Sequence, residues 1–350
     1  MSEAQTYTFL IEASGAGQRL DRYLAERLQE LSRTRIQELI EQGLARVNGR
    51  SSKGSQKLRE GERVEIEARE RPPICAVAET IPLEILYEDE DVVVVNKPAG
   101  MTVHAGAGNS RGTLVNALLG RGQALSRGGN VLRPGIVHRL DKETSGAILV
   151  AKNDFAHAKL GEQFRGRKVK KTYVALVEGR LKSKDGRIEL AIGRDARTRT
   201  RMAVQQEKKT RGAGVAGKAR EARTDWRALA EVDGMTLVEV QLHTGRTHQI
   251  RVHFAAVGHP VAGDELYGAE KRVRERGNSK QTADRSDVKI PELKRNFLHA
   301  ARLGFTQPRT GNWIEVKAPL PNELREYLSG LARVSGDDAK RIDAAVAPYL

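Results

Sequence analysis

The chain has 350 residues, with 60 Lys and Arg against 45 Asp and Glu, and a formal charge of +15 that points to a polyanionic partner, most simply nucleic acid. At 39% hydrophobic it can bury a sizeable core, and its length allows about one to three domains. Its single cysteine, Cys75, excludes an intramolecular disulfide and a cysteine-rich metal site, and no apolar run approaches the roughly 20 residues of a membrane span.

The N-terminus, Met1 to Ile11, has neither the basic start nor the apolar centre of a secretory signal, so a cytoplasmic protein is expected. From Arg19 onward Leu20, Tyr23, Leu24, Leu28 and Leu31 recur at helical spacing. Ser32 is placed to cap a second helix carrying Ile36, Leu39 and Ile40, and Gly43 ends it. Val47-Asn48-Gly49-Arg50 carries the Asn-Gly signal of a tight hairpin, and Val64, Ile66 and Ala68 alternate as a strand. Two short helices against a hairpin would expose Arg33, Arg35, Arg46, Arg50 and Lys53 as a basic, RNA-binding face. From the charge pattern alone a solvated helical face is at least as good an account.

Arg71-Pro72-Pro73 and the polar stretch to Pro82 read as a linker, residues 71–82. Strands are expected at Glu84 to Tyr87, Val92 to Asn96, Ala147 to Lys152, Thr172 to Glu178, Arg187 to Ile192, Leu237 to Leu242, Phe297 to Phe305 and Trp313 to Lys317. Helices are expected at Thr113 to Leu119, Phe155 to Phe164, Thr247 to Val257 and Glu323 to Leu331. Strands and helices do not alternate regularly, so residues 83–334 are predicted to form an α+β domain with a mixed, mainly antiparallel sheet. Arg194 to Arg223 holds ten basic and three acidic residues, and its inner part, about 207–221, reads as a basic loop, as does 271–290. Either loop suits phosphate contact and disordered surface equally. Residues 335–350 are left as a C-terminal tail.

The most informative stretch runs Arg133-Pro134-Gly135-Ile136-Val137-His138-Arg139-Leu140-Asp141-Lys142-Glu143-Thr144-Ser145-Gly146. Pro134 and Gly135 break any helix before it, and the apolar run Ala147 to Ala151 follows as a buried strand. Asp141 therefore sits at the end of a rigid element, between Arg139 and Lys142, where cations favour its charged form. Such a carboxylate suits a nucleophile or an anionic stabiliser better than a general acid. Taken alone, a salt-bridged loop aspartate explains it as well.

The pattern His-Arg-Leu-Asp-Lys-x-Thr-Ser-Gly resembles the active-site motif of the RluA-type pseudouridine synthases, which isomerise uridine in structured RNA. Other blocks follow in the family's order: Asn96-Lys97-Pro98-Ala99-Gly100 with His104, Lys171-Thr172-Tyr173-Val174-Ala175-Leu176-Val177, and Thr244-Gly245-Arg246-Thr247-His248-Gln249-Ile250-Arg251. Residues 17–70 resemble the small α/β RNA-binding domain named after ribosomal protein S four, through Arg19-Leu20-Asp21, Ser32-Arg33, Gly43 and Val47-Asn48-Gly49. Asp21 there is expected to cap or salt-bridge, despite repeating Arg-Leu-Asp. The resemblance implies a pseudouridine synthase fold with its site in a cleft across the sheet, and points to the branch that mostly modifies large-subunit ribosomal RNA.

That reaction breaks the N1–C1′ bond, turns the uracil and joins its C5 to C1′. It imports no group, and the sequence offers no phosphate loop, so no cofactor is expected. The base must leave its stack for a water-poor pocket. Asp141 is the candidate for the anionic group, by attack at C1′, attack at C6 or a route through a glycal. The resemblance implies that Tyr173 stacks on the uracil and takes the C5 proton, and that Arg246 pairs with the catalytic carboxylate. A phosphate-binding arginine is the other account of Arg246. Arg139 corresponds to the arginine that displaces the target base and fills its place, a task suited to a planar stacking cation. Ile250, one helical turn beyond Arg246, is placed to form an apolar wall, and Lys97 to support the cleft. His104, His138 and His248 share no recognised metal-ligand spacing.

A monomer acting on RNA is expected, with ribosomal RNA ahead of transfer RNA. A non-catalytic RNA-binding ribosome assembly factor would explain the charge, but does not require Asp141, Tyr173 and Arg246 together. A glycosylase or glycoside hydrolase also uses a carboxylate at an anomeric carbon, the latter normally with a second about 5–10 Å away.

Overall fold

The computed structural model of the chain describes residues 5–28, 33–68, 76–106, 110–126, 133–195, 198, 201–205, 219–269, 292–337 and 339–350. Most of the two basic loops, 206–218 and 270–291, lies outside the described residues, as do Leu31, Ser32, Cys75 and the side chains of Arg33 and Arg35. The chain divides into two compact units, Met1–Ile74 and Cys75–Leu350.

In the first unit β1 (Gln5–Leu10), β2 (Ala45–Val47), β3 (Arg50–Ser51) and β4 (Arg63–Ala68) form an antiparallel sheet in the order β1-β4-β2-β3. Two helices, α1 (Leu20–Arg27) and α2 (Arg33–Glu41), supply Leu20, Leu24, Ile36, Leu39 and Ile40 to a core closed by Val47, Val64 and Ile66. Asn48 and Gly49 both have positive φ, 51° and 77°, the backbone that a two-residue hairpin with the right twist needs. Asp21 is fully buried and accepts two hydrogen bonds from Arg19 and one from Gln37, the structural role expected of it. Arg46, Arg50 and Lys53 are exposed. The unit begins earlier than residue 17, because β1 pairs with β4 from Gln5↔Ala68 to Leu10↔Arg63. Its inward Tyr7 and Phe9 are only partly buried, which weakens the alternation that would have marked the strand.

The second unit is built on a nine-stranded sheet. Its strands are β5 (Glu84–Glu88), β6 (Val92–Lys97), β7 (Ser145–Ala151), β8 (Lys170–Val177), β9 (Asp185–Glu189), β12 (Arg223–Val232), β13 (Met235–Leu242), β14 (Leu298–Thr306) and β15 (Trp313–Lys317). The order is β5-β6-β7-β14-β8-β13-β12-β9, with β15 on β14, and every pairing is antiparallel except β7 with β14. A separate two-stranded ribbon joins β10 (Ile192–Arg194) to β11 (Met202–Val204). The mixed, mainly antiparallel sheet matches the expectation from the irregular order of strand and helix signals.

Alternation along the strands sorts side chains to two apolar layers. On one face Val93, Val95, Ile148, Tyr173 and Ala175 pack under α3 (Leu114–Gly120) and α5 (Gln249–Ala256), through Leu114, Leu118, Ile250 and Phe254. On the other, Val92, Val94 and Leu149 meet Ala156 and Leu160 of α4 (Asp154–Arg165). Val174 and Leu176 meet α6 (Asn322–Ser335) and α7 (Ala339–Val346). Residues 335–350, expected as a tail, thus hold a helix whose Ile342 and Val346, with Tyr349 beyond it, are buried. Residues 76–82, expected as linker, are docked on α3: Asn116 Nδ2 donates to the carbonyl of Val77 at 2.7 Å, and Glu79 N donates to that of Asn116 at 3.0 Å.

The sequence signals missed β11 and β12 and ran one expected strand too far. The expected strand Arg187 to Ile192 breaks after Glu189, and the ring of His253 on α5 takes the Leu190 carbonyl at 3.0 Å. β12 was hidden by its charges and by a bulge between Ala228 and Ala230. Gly146 closes the active-site motif for a steric reason. It has φ +114° where β7 meets β14, and a Cβ there would lie 2.3 Å from the Ala300 carbonyl oxygen.

Candidate active site

A cleft of about 430 Å³ opens on the α5 side of the sheet, between the loop that precedes β7, the start of β8 and the turn that leads into α5. Asp141, Arg139, Tyr173, Ile250 and Arg246 all line it, so residues from three distant blocks converge. Lys97 does not. It is fully buried, and its Nζ donates to the carbonyls of Pro98, Met101 and Lys142 at 2.7, 2.8 and 3.0 Å. It supports the cleft from behind and is not among its lining residues: it ties the Asn-Lys-Pro loop to the residue after Asp141. Gly100 N donates to the same Lys142 carbonyl, and Arg295 Nη1 donates to that of Glu143. The loop carrying the carboxylate is therefore fixed from two sides. Burial, opposed by Glu143 and Asp141, pushes the Lys97 ammonium down to about 7.

The cation paired with Asp141 is Arg251, not Arg246. Arg251 Nη1 lies 3.3 Å from Asp141 Oδ2, while its Nε and Nη2 form a two-pronged bond with Asp264 at 2.6 and 2.8 Å. Burial opposes the charge of Arg251, but Asp264 and then Asp141 outweigh it, and its pKa is raised. The guanidinium is thus anchored on one carboxylate and presents its remaining edge to the other. Arg246 instead donates Nε to the Glu221 carbonyl at 3.1 Å, and burial with the nearby Arg220 and Arg167 lowers its pKa. The difference is one of geometry. Arg246 precedes α5, where Gln249 folds the turn by accepting from Arg246 N and Thr244 Oγ1 and donating to Arg223 O and Thr224 Oγ1. Arg251 lies inside the helix, on the side facing Asp141. An arginine in the mostly apolar run Ile250 to Ala256 was the available signal, since a buried guanidinium requires a carboxylate.

Tyr173 is buried on the sheet floor, and burial and then the Asp141 charge raise its pKa. At neutral pH its phenol is a proton carrier and not a standing base, which runs against a simple proton-acceptor role. His248, at the left-handed residue before α5, places Nε2 at 4.0 Å from Asp141 Oδ1 and Nδ1 at 3.0 Å from the Tyr267 hydroxyl. Burial lowers its pKa, and it escaped the sequence argument because only folding brings it there. His138 stacks on Phe164 and accepts from Leu149 N through Nε2, and burial pushes it down to about 3. Burial holds His104 at about 4. Among the described residues no group of three or more ligating side chains is placed to hold a metal ion.

Arg139, Arg165, Arg167, Lys171, Arg246 and Arg251 line the cleft, against Asp141 as the single carboxylate among the lining residues. Glu143 is not among them. The second carboxylate of a glycoside hydrolase is thus missing from the described cleft. A carboxylate braced by one arginine, beside a buried tyrosine and inside a cationic wall, suits one unit of a polyanion as its ligand.

Comparison with known proteins agrees. The sequence profile of the RNA pseudouridylate synthase family matches residues 91–256, and that of the S4 domain matches residues 18–64. An uncharacterized RNA pseudouridine synthase of Bacillus subtilis (strain 168), YlyB, is 40% identical over 316 residues, covering 90% of this chain and 95% of its own. A ribosomal large subunit pseudouridine synthase D of Xanthomonas campestris is 39% identical over 331 residues, covering 95% and 94%. Among solved structures, human RNA pseudouridylate synthase domain containing 1 superposes with a TM-score of 0.52 at 28% identity, over 69% of this chain and 85% of that one. The chain belongs to the RNA pseudouridylate synthase family and carries an N-terminal S4 domain.

Proposed function

We propose that this enzyme converts uridines of large-subunit ribosomal RNA to pseudouridine, with Asp141 as the reacting carboxylate. Two relatives at 39–40% identity over most of both chains are named ribosomal large subunit pseudouridine synthase D, and this favours ribosomal over transfer RNA. The observation that carries the reaction is the placement of Asp141, alone among cations, within reach of Arg251 and facing Tyr173. A carboxylate held in one orientation by a guanidinium that is itself anchored on Asp264 is preorganised for attack or for stabilising a cation-like sugar. Arg139, exposed at the rim, is placed to enter the RNA stack as the uridine leaves it. Tyr173 and Ile250 supply the flat and apolar walls for the displaced base. The exposed Arg46, Arg50 and Lys53 of the first unit would add further phosphate contacts. A ribosomal substrate fits a cytoplasmic enzyme.

The test compares pseudouridine maps of ribosomal and transfer RNA from cells with the gene, without it, and with Asp141→Asn. Loss of one or more large-subunit positions in both defective strains is expected. Loss confined to transfer RNA would overturn the substrate, and retained positions in the Asp141→Asn strain would overturn the role of Asp141.

A further inference from the structure

The end of α4 carries an anomaly. Lys168 N donates to the Gln163 carbonyl at 2.9 Å and Arg167 N to that of Phe164 at 3.3 Å, the paired bonds of a Schellman ending. The residue at the left-handed position of that motif is Arg167, at φ +56°. Glycine is the usual occupant, because a β-carbon there costs about 1 kcal/mol. Here glycine stands one residue earlier, as Gly166, and an arginine holds the strained site. The consequence is directional: Arg167 lines the cleft, where its charge reaches Arg246, and the charge of Arg246 in turn reaches Lys171. Gly245, next to Arg246, has its β-position 3.7 Å from Lys171 Nζ. Among the described residues none of these three cations is in an ion pair. Burial and Arg246 hold the Lys171 ammonium down to about 8. Glu221 offsets the charge of Arg246 only in part, so the three like charges still repel one another, and an added anion relieves that repulsion.

We infer that Arg167, Lys171 and Arg246 form a phosphodiester-binding subsite that grips the RNA backbone beside the target uridine, with Arg167 kept in a strained backbone position for that purpose. Asp141 belongs to Arg251, so Arg246 is free for phosphate. The subsite rests on RNA as the substrate and deepens the proposed function by giving the cleft a second, non-catalytic anchor. A guanidinium pair suits the forked geometry of a phosphate, and the Lys171 ammonium would regain its full charge on contact.

Arg167→Gly separates a binding role from a structural one, since it removes the cation while relieving the backbone. Binding of the full-length protein to an in vitro transcript of large-subunit ribosomal RNA would be measured from about 50 to 200 mM salt, beside its melting temperature. Affinity is expected to fall about tenfold, and the slope of log affinity against log salt to become shallower by about one. The melting temperature should stay level or rise. Lys168→Ala removes the neighbouring exposed cation outside the cleft and should leave affinity within about twofold. Arg167→Gly combined with Arg246→Ala should weaken binding by less than the product of the two single effects, because both would hold one phosphate. An unchanged affinity and salt slope, a lowered melting temperature, or strictly multiplicative losses would overturn the subsite. Pseudouridine formation by the wild-type protein on the same transcript tests the choice of ribosomal RNA separately, whereas the ratio of variant to wild-type affinity tests the subsite.

Discussion

Arg251→Ala should cost both fold and chemistry, whereas Arg246→Ala should cost neither in the same way. Arg251 is 8% exposed and Asp264 2%, and two hydrogen bonds of 2.6 and 2.8 Å join them. Removing the guanidinium strands one buried carboxylate and leaves Asp141 without its brace. Breaking a buried pair from one side typically costs about 3–5 kcal/mol. At about 2–4 °C per kcal/mol for a unit of this size, the melting temperature should drop by roughly 6–20 °C. Arg246 touches a backbone carbonyl at the surface, so its loss should change stability by no more than about 0.5 kcal/mol. The assay pairs urea unfolding with release of tritium from uridine labelled at C5, under single turnover with enzyme in saturating excess over RNA. Arg251→Ala should fail in both, and Arg246→Ala should show weakened RNA binding as its main defect. An Arg251→Ala protein that melts within about 2 °C of wild type and still releases tritium would refute the ion-pair argument.

Gly146→Ala forces a β-carbon toward the Ala300 carbonyl at φ +114°, and a loss of about 3 kcal/mol or more should appear as poor soluble yield and a lowered melting temperature. His299, fully buried between Ser145 and the Ala318 carbonyl, is held by burial at about 4. A base depressed on folding binds its proton only in the unfolded chain between the ordinary value near 6.5 and about 4. Its contribution is therefore present above about 6.5 and is lost as pH falls, by about 2 kcal/mol at pH 5; unfolding curves from pH 7 to 5 should show this slope added to those of the buried His104 and His138, and His299→Asn should remove only its share. Tyr173→Phe keeps the flat face and removes the hydroxyl, so RNA affinity should hold while turnover falls about a hundredfold or more in the tritium assay. Equal losses of affinity and turnover would instead make Tyr173 a packing residue.

The sequence alone carried the chemistry-bearing blocks, because each is a short run whose residue types are dictated locally. Gly146 must be glycine, Asn48-Gly49 must turn, and Asp141 must end a rigid element; such demands leave marks that a linear reading can find. It also gave the mixed sheet, since the irregular order of apolar strands and amphipathic helices excludes a doubly wound fold. Partnerships were another matter. Arg246 and Arg251 are five residues apart in one motif, and nothing in their spacing says which guanidinium reaches Asp141, 105 and 110 residues earlier in the chain. The choice falls to Arg251 because Gln249 folds the preceding turn and because Asp264, from beyond the helix, holds the guanidinium in place. Lys97 was likewise placed as a support of the cleft, but which groups it would hold, three carbonyls around its amine, only the fold decided. The helix near the C-terminus and β12 were decided by the layers they complete, not by their own weak patterns. Local sterics are written residue by residue, whereas the partner of a charge depends on which distant element the hydrophobic core brings beside it.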